Sequence, residues 1–222
     1  MLRDEASPVK EIMNLADPEY IETLGINPDE FISFAGGWVN HKAPEKLREA
    51  YASIVSDVDL FHSSGRYSPP LGEKEFKTAI SLFEKELYKM DISEKQIAVG
   101  TGSTQLAMEI FDVILDPGDK ILFLDPSYCN YPTQLLTGIP DVEILRFSVM
   151  DEKDWKFIAD EKIEEFSNYI RDNKPKIVML VSPDNPTSKI LSDKFVKATL
   201  NAIKEINGFL IIDFAYKELI FE

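Results

Sequence analysis

The chain has 222 residues, a length that suits one α/β domain or one and a half. It carries 24 basic and 39 acidic side chains, and the net charge of −15 argues against nucleic acid or an anionic membrane as its main partner. A single cysteine, Cys129, excludes an intrachain disulfide, and two isolated histidines predict no metal site. Because no run approaches the roughly 18 apolar residues of a membrane span, and the first residues lack the apolar core of an export signal, we expect a soluble, cytoplasmic protein.

Residues 1–45 are predicted to form an arm of short helical pieces interrupted by prolines, and residues 46–222 a larger domain. A loop over 62–70 precedes an amphipathic helix at 73–90. Strands and helices then alternate, with strands at 97–99, 121–124, 142–149, 176–181 and 209–213 and helices at 104–115, 129–138, 160–173 and 192–207. This alternation predicts an α/β fold, a mostly parallel sheet with helices on both faces.

Polar residues follow the strands of this sheet, where open α/β sheets bind ligands. After the first strand, Gly102, Ser103 and Thr104 open a helix. Glycine lets the backbone approach a ligand closely, and N–H groups and hydroxyls at a helix N-terminus suit a phosphate. A helix cap without a ligand is the alternative explanation of this segment.

Three further strand ends carry distinctive side chains. Tyr128 follows a proline turn and could stack on a planar ring. Asn185 lies between two prolines and could present a rigid amide. Asp213 ends an apolar strand, with Tyr216 three residues later, and a buried carboxylate is costly unless a positive group meets it. Packing and ordinary turns are the alternatives for each, but together the four segments match the needs of pyridoxal 5′-phosphate.

With these motifs, the chain from Phe31 to Glu222 resembles class I/II aminotransferases, which are fold type I pyridoxal-phosphate enzymes. The resemblance assigns Ser103 and Thr104 to the phosphate, Tyr128 to ring stacking, Asn185 and Tyr216 to the 3-oxygen of the ring, and Asp213 to the pyridine nitrogen. The segment from Tyr67 to Gly72 is similar to a family motif whose tyrosine reaches the phosphate of the neighbouring subunit. The segment 32–37, ending at Gly37, resembles the substrate loop.

The chain departs from the family pattern in two places. Ser188 stands where the family usually has glycine. The Schiff-base lysine of the family is expected beyond Glu222, so the chain resembles the N-terminal portion of an aminotransferase and contains no catalytic residue of its own. Lys217 matches no lysine position of the family. We also expect a sheet with unpaired strand edges.

The resemblance implies amino transfer between an amino acid and a 2-oxo acid by a homodimer, and the chain alone is expected to be inactive. Two alternatives remain at this stage. One is a lyase or decarboxylase with the same cofactor site, and the other is a non-catalytic chain that binds the cofactor weakly or not at all. The sequence does not identify the amino acid.

Overall fold

The computed structural model describes residues 12–34 and 41–220. The chain forms two compact units, one comprising Ile12–Gly100 and the other containing the chain from Thr101 onward. The units therefore divide at Gly100. The predicted division into an arm over 1–45 and a cofactor-binding domain over 46–222 concerns function, and it stays a prediction.

The first unit is helical. It includes the α-helices α1 (Pro18–Thr23), α2 (Glu45–Ser56), α3 (Val58–Ser64) and α4 (Lys74–Tyr88), and single 3₁₀ turns cover Pro28–Glu30 and Glu94–Gln96. The helix α4 confirms the amphipathic helix predicted over 73–90.

The loop predicted over 62–70 is wrong in its first three residues, which belong to α3. The reason is the residue that precedes this helix. The side chain of Asp57 accepts hydrogen bonds from the N–H groups of Asp59 (3.0 Å) and Leu60 (2.9 Å), and so caps the helix at its start.

The strand predicted over 97–99 is also wrong. The N–H group of Ile97 donates to the Glu94 carbonyl, which closes the preceding 3₁₀ turn, and Val99 donates to the Leu71 carbonyl at 3.3 Å. A strand needs a neighbour along its length. Among the described residues, none pairs with this segment as a ladder.

The second unit alternates helices and strands as predicted. In chain order its elements are α5 (Gly102–Ile114), β1 (Lys120–Asp125), α6 (Asn130–Gly138), β2 (Glu143–Ser148), α7 (Ile163–Asn173), β3 (Ile177–Val181), α8 (Asp193–Glu205) and β4 (Phe209–Asp213), with 3₁₀ turns at Ala159–Lys162 and Lys217–Leu219. All neighbouring strand pairs are parallel, in the order β2-β1-β3-β4. Within the described part of the chain, β2 and β4 are thus the outer strands.

Helices cover both faces of this sheet, as the sequence predicts. Alternate residues of β1 and β3 point to opposite faces. On one face Leu122 and Val178 pack with α7 and α8, and on the other face Ile121 and Ile177 pack with α5 and α6. The strand β3 is buried along its whole length, which explains why its sequence is a continuous apolar run.

Among the described residues, helices with enough length and apolar character to cross a membrane are absent.

Candidate functional site

The start of α5 is the predicted phosphate turn. The helix begins at Gly102, whose φ of 80° lies in the left-handed region that favours glycine. Ser103 and Thr104 follow in the first turn and are exposed. The first N–H groups of an α-helix have no acceptor inside the helix, so this turn presents backbone donors together with two hydroxyls.

Asp213 ends β4 at the carboxyl edge of the sheet. It lies opposite Val181, and its carbonyl accepts a hydrogen bond from the Ser182 N–H group at 3.0 Å. One carboxylate oxygen, Oδ1, accepts from the Ala215 N–H group at 2.8 Å. The other oxygen, Oδ2, accepts a hydrogen bond from the Tyr131 hydroxyl. Two donors of the chain therefore fix the orientation of this carboxylate.

Tyr131, on α6, is the site residue that the sequence analysis missed. Its side chain is completely buried, and its ring makes an edge contact with Phe111 (6.2 Å between centroids). Burial raises the pKa of the Tyr131 phenol, Asp213 raises it further, and a hydrogen bond with the Ser103 side chain opposes this rise. One phenol thus interacts with the phosphate turn and with the carboxylate at the end of β4.

Tyr128 lies beside this phenol. The two tyrosine rings meet edge to face, with centroids 5.2 Å apart and an interplanar angle of 80°. Burial raises the pKa of Tyr128, as do the nearby groups of Cys129, Tyr216 and Asp213, whereas a hydrogen bond with Thr104 lowers it. The half-buried Tyr216 follows β4 and is within electrostatic range of Tyr128.

The structure therefore brings five of the predicted site residues together, and these are Ser103, Thr104, Tyr128, Asp213 and Tyr216. A signal for Tyr131 existed in the sequence, since it lies three residues after Tyr128 at the start of a predicted helix. This signal does not by itself place Tyr131 in the site. The contact forms because α6 approaches the end of β4, where Asp213 lies 82 residues further along the chain.

Asn185 lies in the turn that follows β3, at the same edge of the sheet, and is half-buried. The turn is closed by Asp184, whose N–H donates to the Lys189 carbonyl and whose carbonyl accepts from Ser188 N–H, both at 2.8 Å. Ser188 has a φ of 58°, in the left-handed region. The backbone thus has the conformation that glycine favours at the position where the sequence departs from the family pattern.

Two predicted site residues lie elsewhere. Tyr67 belongs to the first unit, and its side chain is fully exposed. Gly37, the residue predicted for substrate binding, lies outside the described residues. The roles predicted for both stay predictions.

The fold and the cluster described above define an α/β chain with a helix start that presents N–H and hydroxyl donors, an aromatic ring and a fixed carboxylate. The chain belongs to the family "Aminotransferase class I and II", whose model matches residues 30–222.

Similar proteins include two curated relatives and one solved structure. An aspartate aminotransferase of Thermotoga maritima is 25% identical over 193 residues, which are 87% of this chain and 48% of that protein. An asparagine–oxo-acid transaminase of Streptococcus mutans is 26% identical over 215 residues, or 96% and 51% of the two chains. The structure of an alanine aminotransferase from Pyrococcus furiosus superposes with a TM-score of 0.79 at 25% identity, covering 100% of this chain and 52% of that one. The chain spans about half the length of the curated relatives it matches.

Proposed function

We propose that the protein is a pyridoxal-phosphate-dependent aminotransferase, which transfers an amino group between an amino acid and a 2-oxo acid. The observation that carries the proposal is that α6 hydrogen-bonds both to the end of β4, from Tyr131 to Asp213, and to the start of α5, from Gln134 to the Thr104 carbonyl. The segments that the resemblance assigns to the two ends of one cofactor therefore lie within the reach of a single helix. Membership of the aminotransferase family supports the same function.

The residues present fit pyridoxal phosphate by their chemistry. The first turn of α5 offers N–H groups and the Ser103 and Thr104 hydroxyls, which are donors suited to a phosphate. Asp213 offers a carboxylate, an acceptor suited to a protonated ring nitrogen. Between them Tyr128 offers an aromatic ring for stacking.

When bound, pyridoxal phosphate supplies a ring that withdraws electrons from the α-carbon of an amino acid. The part of Asp213 is to hold a proton on the ring nitrogen, because its negative charge stabilises the N–H form. Asn185 and Tyr216 are proposed to donate hydrogen bonds to the 3-oxygen of the ring. The lysine that binds the cofactor covalently and moves the α-proton is proposed to lie outside the half of the family that this chain matches.

The amino acid stays open, because the similar proteins carry different amino acids in their names. The proposal is therefore limited to the class of amino acids and 2-oxo acids. It includes a cytoplasmic homodimer in which Tyr67 reaches the cofactor phosphate of the neighbouring subunit. The net charge of −15 supports small-molecule substrates over nucleic acid.

Cofactor binding tests the proposal first. The affinity of the chain for pyridoxal phosphate is measured by isothermal titration for the wild type, Asp213→Asn and Asp125→Asn. Asp213→Asn removes the charge opposite the ring nitrogen, and we expect the dissociation constant to rise about tenfold or more. Asp125 also ends a parallel strand, β1, which β3 separates from β4, and it pairs with Arg146 at 3.7 Å. Asp125→Asn is therefore the matched control, with less than about a twofold change. Equal effects of the two variants would contradict the proposal.

Borohydride reduction tests where the lysine lies. The chain is incubated with pyridoxal phosphate and reduced, and its mass is measured. We expect no stoichiometric adduct on Lys217, which matches no lysine position of the family and forms an ion pair with Glu218 at 3.7 Å. A full adduct on Lys217 would overturn the proposed position of the lysine.

Product analysis separates the alternative chemistries. In a protein that carries the family lysine, amino transfer yields a new amino acid and a new 2-oxo acid in equal amounts. Release of carbon dioxide would instead identify a decarboxylase, and loss of a side-chain group a lyase.

A further inference from the structure

The strongest unassigned feature of the site is the hydroxyl of Tyr131. Its bond to Asp213 is the polar contact that links α6 to the end of β4. The sequence motifs assign no role to this residue, and the proposed function gives its hydroxyl no part in binding the cofactor. Whether the phenol merely fills space or acts on the site depends on what its contacts do to Asp213.

The surroundings of Tyr131 hold its ring in one place. The side chain is completely buried, and Phe111 and Tyr128 meet its ring at interplanar angles of 86° and 80°. A ring held from two sides has little freedom to turn. The hydroxyl therefore has a defined position, and the carboxylate oxygen that accepts from it is defined as well.

The same helix is also tied to the phosphate turn. Gln134, one helical turn after Tyr131, donates from Nε2 to the Thr104 carbonyl at 2.7 Å. The helix α6 thus makes one hydrogen bond to the start of α5 and another to the end of β4. Both attachment points belong to segments proposed to contact the cofactor.

We propose that Tyr131 is a positioning residue for Asp213. Its hydroxyl donates to Oδ2 while the Ala215 N–H group donates to Oδ1, and the two bonds fix the plane of the carboxylate. Each carboxylate oxygen accepts more than one hydrogen bond, so the fixed group keeps a free direction for a further N–H donor. Tyr131 thus acts on the ring nitrogen of the cofactor through Asp213, without touching the ring nitrogen.

This role requires a phenol that remains a donor. A phenolate next to Asp213 would repel the carboxylate instead of orienting it. Burial and the charge of Asp213 both raise the pKa of Tyr131, so the hydroxyl keeps its proton throughout the neutral range. The role rests on the proposed function, because it needs a ligand with a ring nitrogen.

The test compares two ligands that differ at one ring atom. The dissociation constants of pyridoxal phosphate and of its 1-deaza analogue, which has C–H in place of the ring nitrogen, are measured for the wild type and for Tyr131→Phe. The phenylalanine keeps the ring and removes the hydroxyl. We expect Tyr131→Phe to weaken pyridoxal phosphate about tenfold and the deaza analogue less than about twofold.

A control variant and a double variant test whether the effect is specific to Tyr131 and passes through Asp213. Tyr169 packs on Phe147 on the opposite face of the sheet, with centroids 5.4 Å apart, and Tyr169→Phe is expected to leave both affinities unchanged. In the Asp213→Asn background, Tyr131→Phe is expected to have no further effect, because its influence passes through the carboxylate. An equal loss for both ligands would show a merely structural role and overturn the inference, and so would no loss for either.

The outcomes also separate the inference from the proposed function. If the wild type binds pyridoxal phosphate more tightly than the deaza analogue, and Tyr131→Phe has the same two dissociation constants as the wild type, the inference is overturned and the proposed function stands. A wild type that binds neither ligand would overturn both. If Tyr131→Phe does not fold, the bond is followed in the wild type and Asp213→Asn from the ¹³Cζ resonance of Tyr131. We expect this resonance to shift in Asp213→Asn, because an amide replaces the carboxylate that accepts from the hydroxyl, and an unchanged resonance would overturn the inference.

Discussion

Asp184 is a buried carboxyl group in the turn that presents Asn185. Its Oδ2 atom accepts hydrogen bonds from the N–H group (3.1 Å) and the hydroxyl (2.6 Å) of Thr187. Burial raises the pKa of Asp184 above its ordinary value of 3.8, and the two bonds from Thr187 only partly oppose this rise. Burial thus makes the charged form of this residue costly at neutral pH, although the turn uses it as an acceptor.

The stability of the chain should therefore depend on pH through Asp184. A folded pKa above the unfolded value means that the stabilising contribution is complete below the unfolded pKa and is lost as the pH rises through the folded pKa. Asparagine keeps an acceptor oxygen for Thr187 and does not ionise. We expect the free energy of unfolding of Asp184→Asn, relative to the wild type, to increase as the pH is raised above 3.8.

Urea unfolding at a series of pH values measures this difference. Asp184→Ala is the companion variant, and its free energy of unfolding is expected to follow the same trend with pH. At each pH it should be about 1–3 kcal/mol lower than that of Asp184→Asn, because alanine leaves the Thr187 donors without an acceptor. A difference between Asp184→Asn and the wild type that does not vary with pH would refute the explanation.

The connection between α8 and β4 depends on a left-handed residue, Asn207, and on a glycine, Gly208. Asn207 takes the left-handed conformation, with φ of 59°, and Gly208 donates to the Ile203 carbonyl at 2.9 Å. A Cβ atom at Gly208 would lie 2.6 Å from Ile203 Cδ1 and 3.0 Å from the Pro175 carbonyl oxygen. The sequence predicts a helix end here, and the structure adds that Gly208 is needed for close packing while Asn207 makes the turn.

Gly208→Ala should destabilise the chain by about 1–3 kcal/mol, because a branched side chain and a backbone carbonyl must both move. Gly138→Ala is the matched control in the same unit. A Cβ atom at Gly138 would meet the terminal methyl group of Met108, which can turn away. Gly138 is also the last residue of α6, where alanine favours the helical conformation. Unfolding free energies measured in urea compare the two, and equal losses would contradict the steric explanation.

Elements were predicted well where the sequence pattern depends on local periodicity. The helices and strands from α5 to β4 match because buried strands and amphipathic helices leave different patterns. The segment 97–99 has the apolar composition of a strand, but whether it pairs depends on a neighbour that local sequence does not specify. The positions of Tyr128, Asn185 and Asp213 after strands were predictable from the same patterns, whereas the position of Tyr131 depends on the packing of α6 against the end of β4. The roles of the predicted site residues stay predictions.

Tyr67 connects the proposed cofactor site with the assembly of the protein into a dimer. Its side chain is fully exposed in the first unit, and the resemblance assigns it to the phosphate of a neighbouring subunit. If this is correct, a complete cofactor site requires two chains. The affinity for pyridoxal phosphate should then increase with protein concentration as dimers form.

Light scattering and cofactor titration over a range of protein concentrations test the dimer. We expect Tyr67→Phe to weaken binding at concentrations where the dimer forms, because a phosphate contact is lost. Tyr51→Phe changes another exposed tyrosine of the same unit and is expected to have no effect. A monomer that binds the cofactor as tightly as the dimer would rule out the shared site.

We propose that pyridoxal phosphate binds at the carboxyl ends of the parallel strands, between the start of α5 and Asp213. A crystal structure of the chain with pyridoxal phosphate would show where the cofactor lies. We expect the phosphate at the N–H groups and hydroxyls of Ser103 and Thr104, and the ring nitrogen about 3 Å from an Asp213 oxygen that Tyr131 and Ala215 hold in place. A cofactor bound elsewhere, or one with its ring nitrogen turned away from Asp213, would contradict this binding mode.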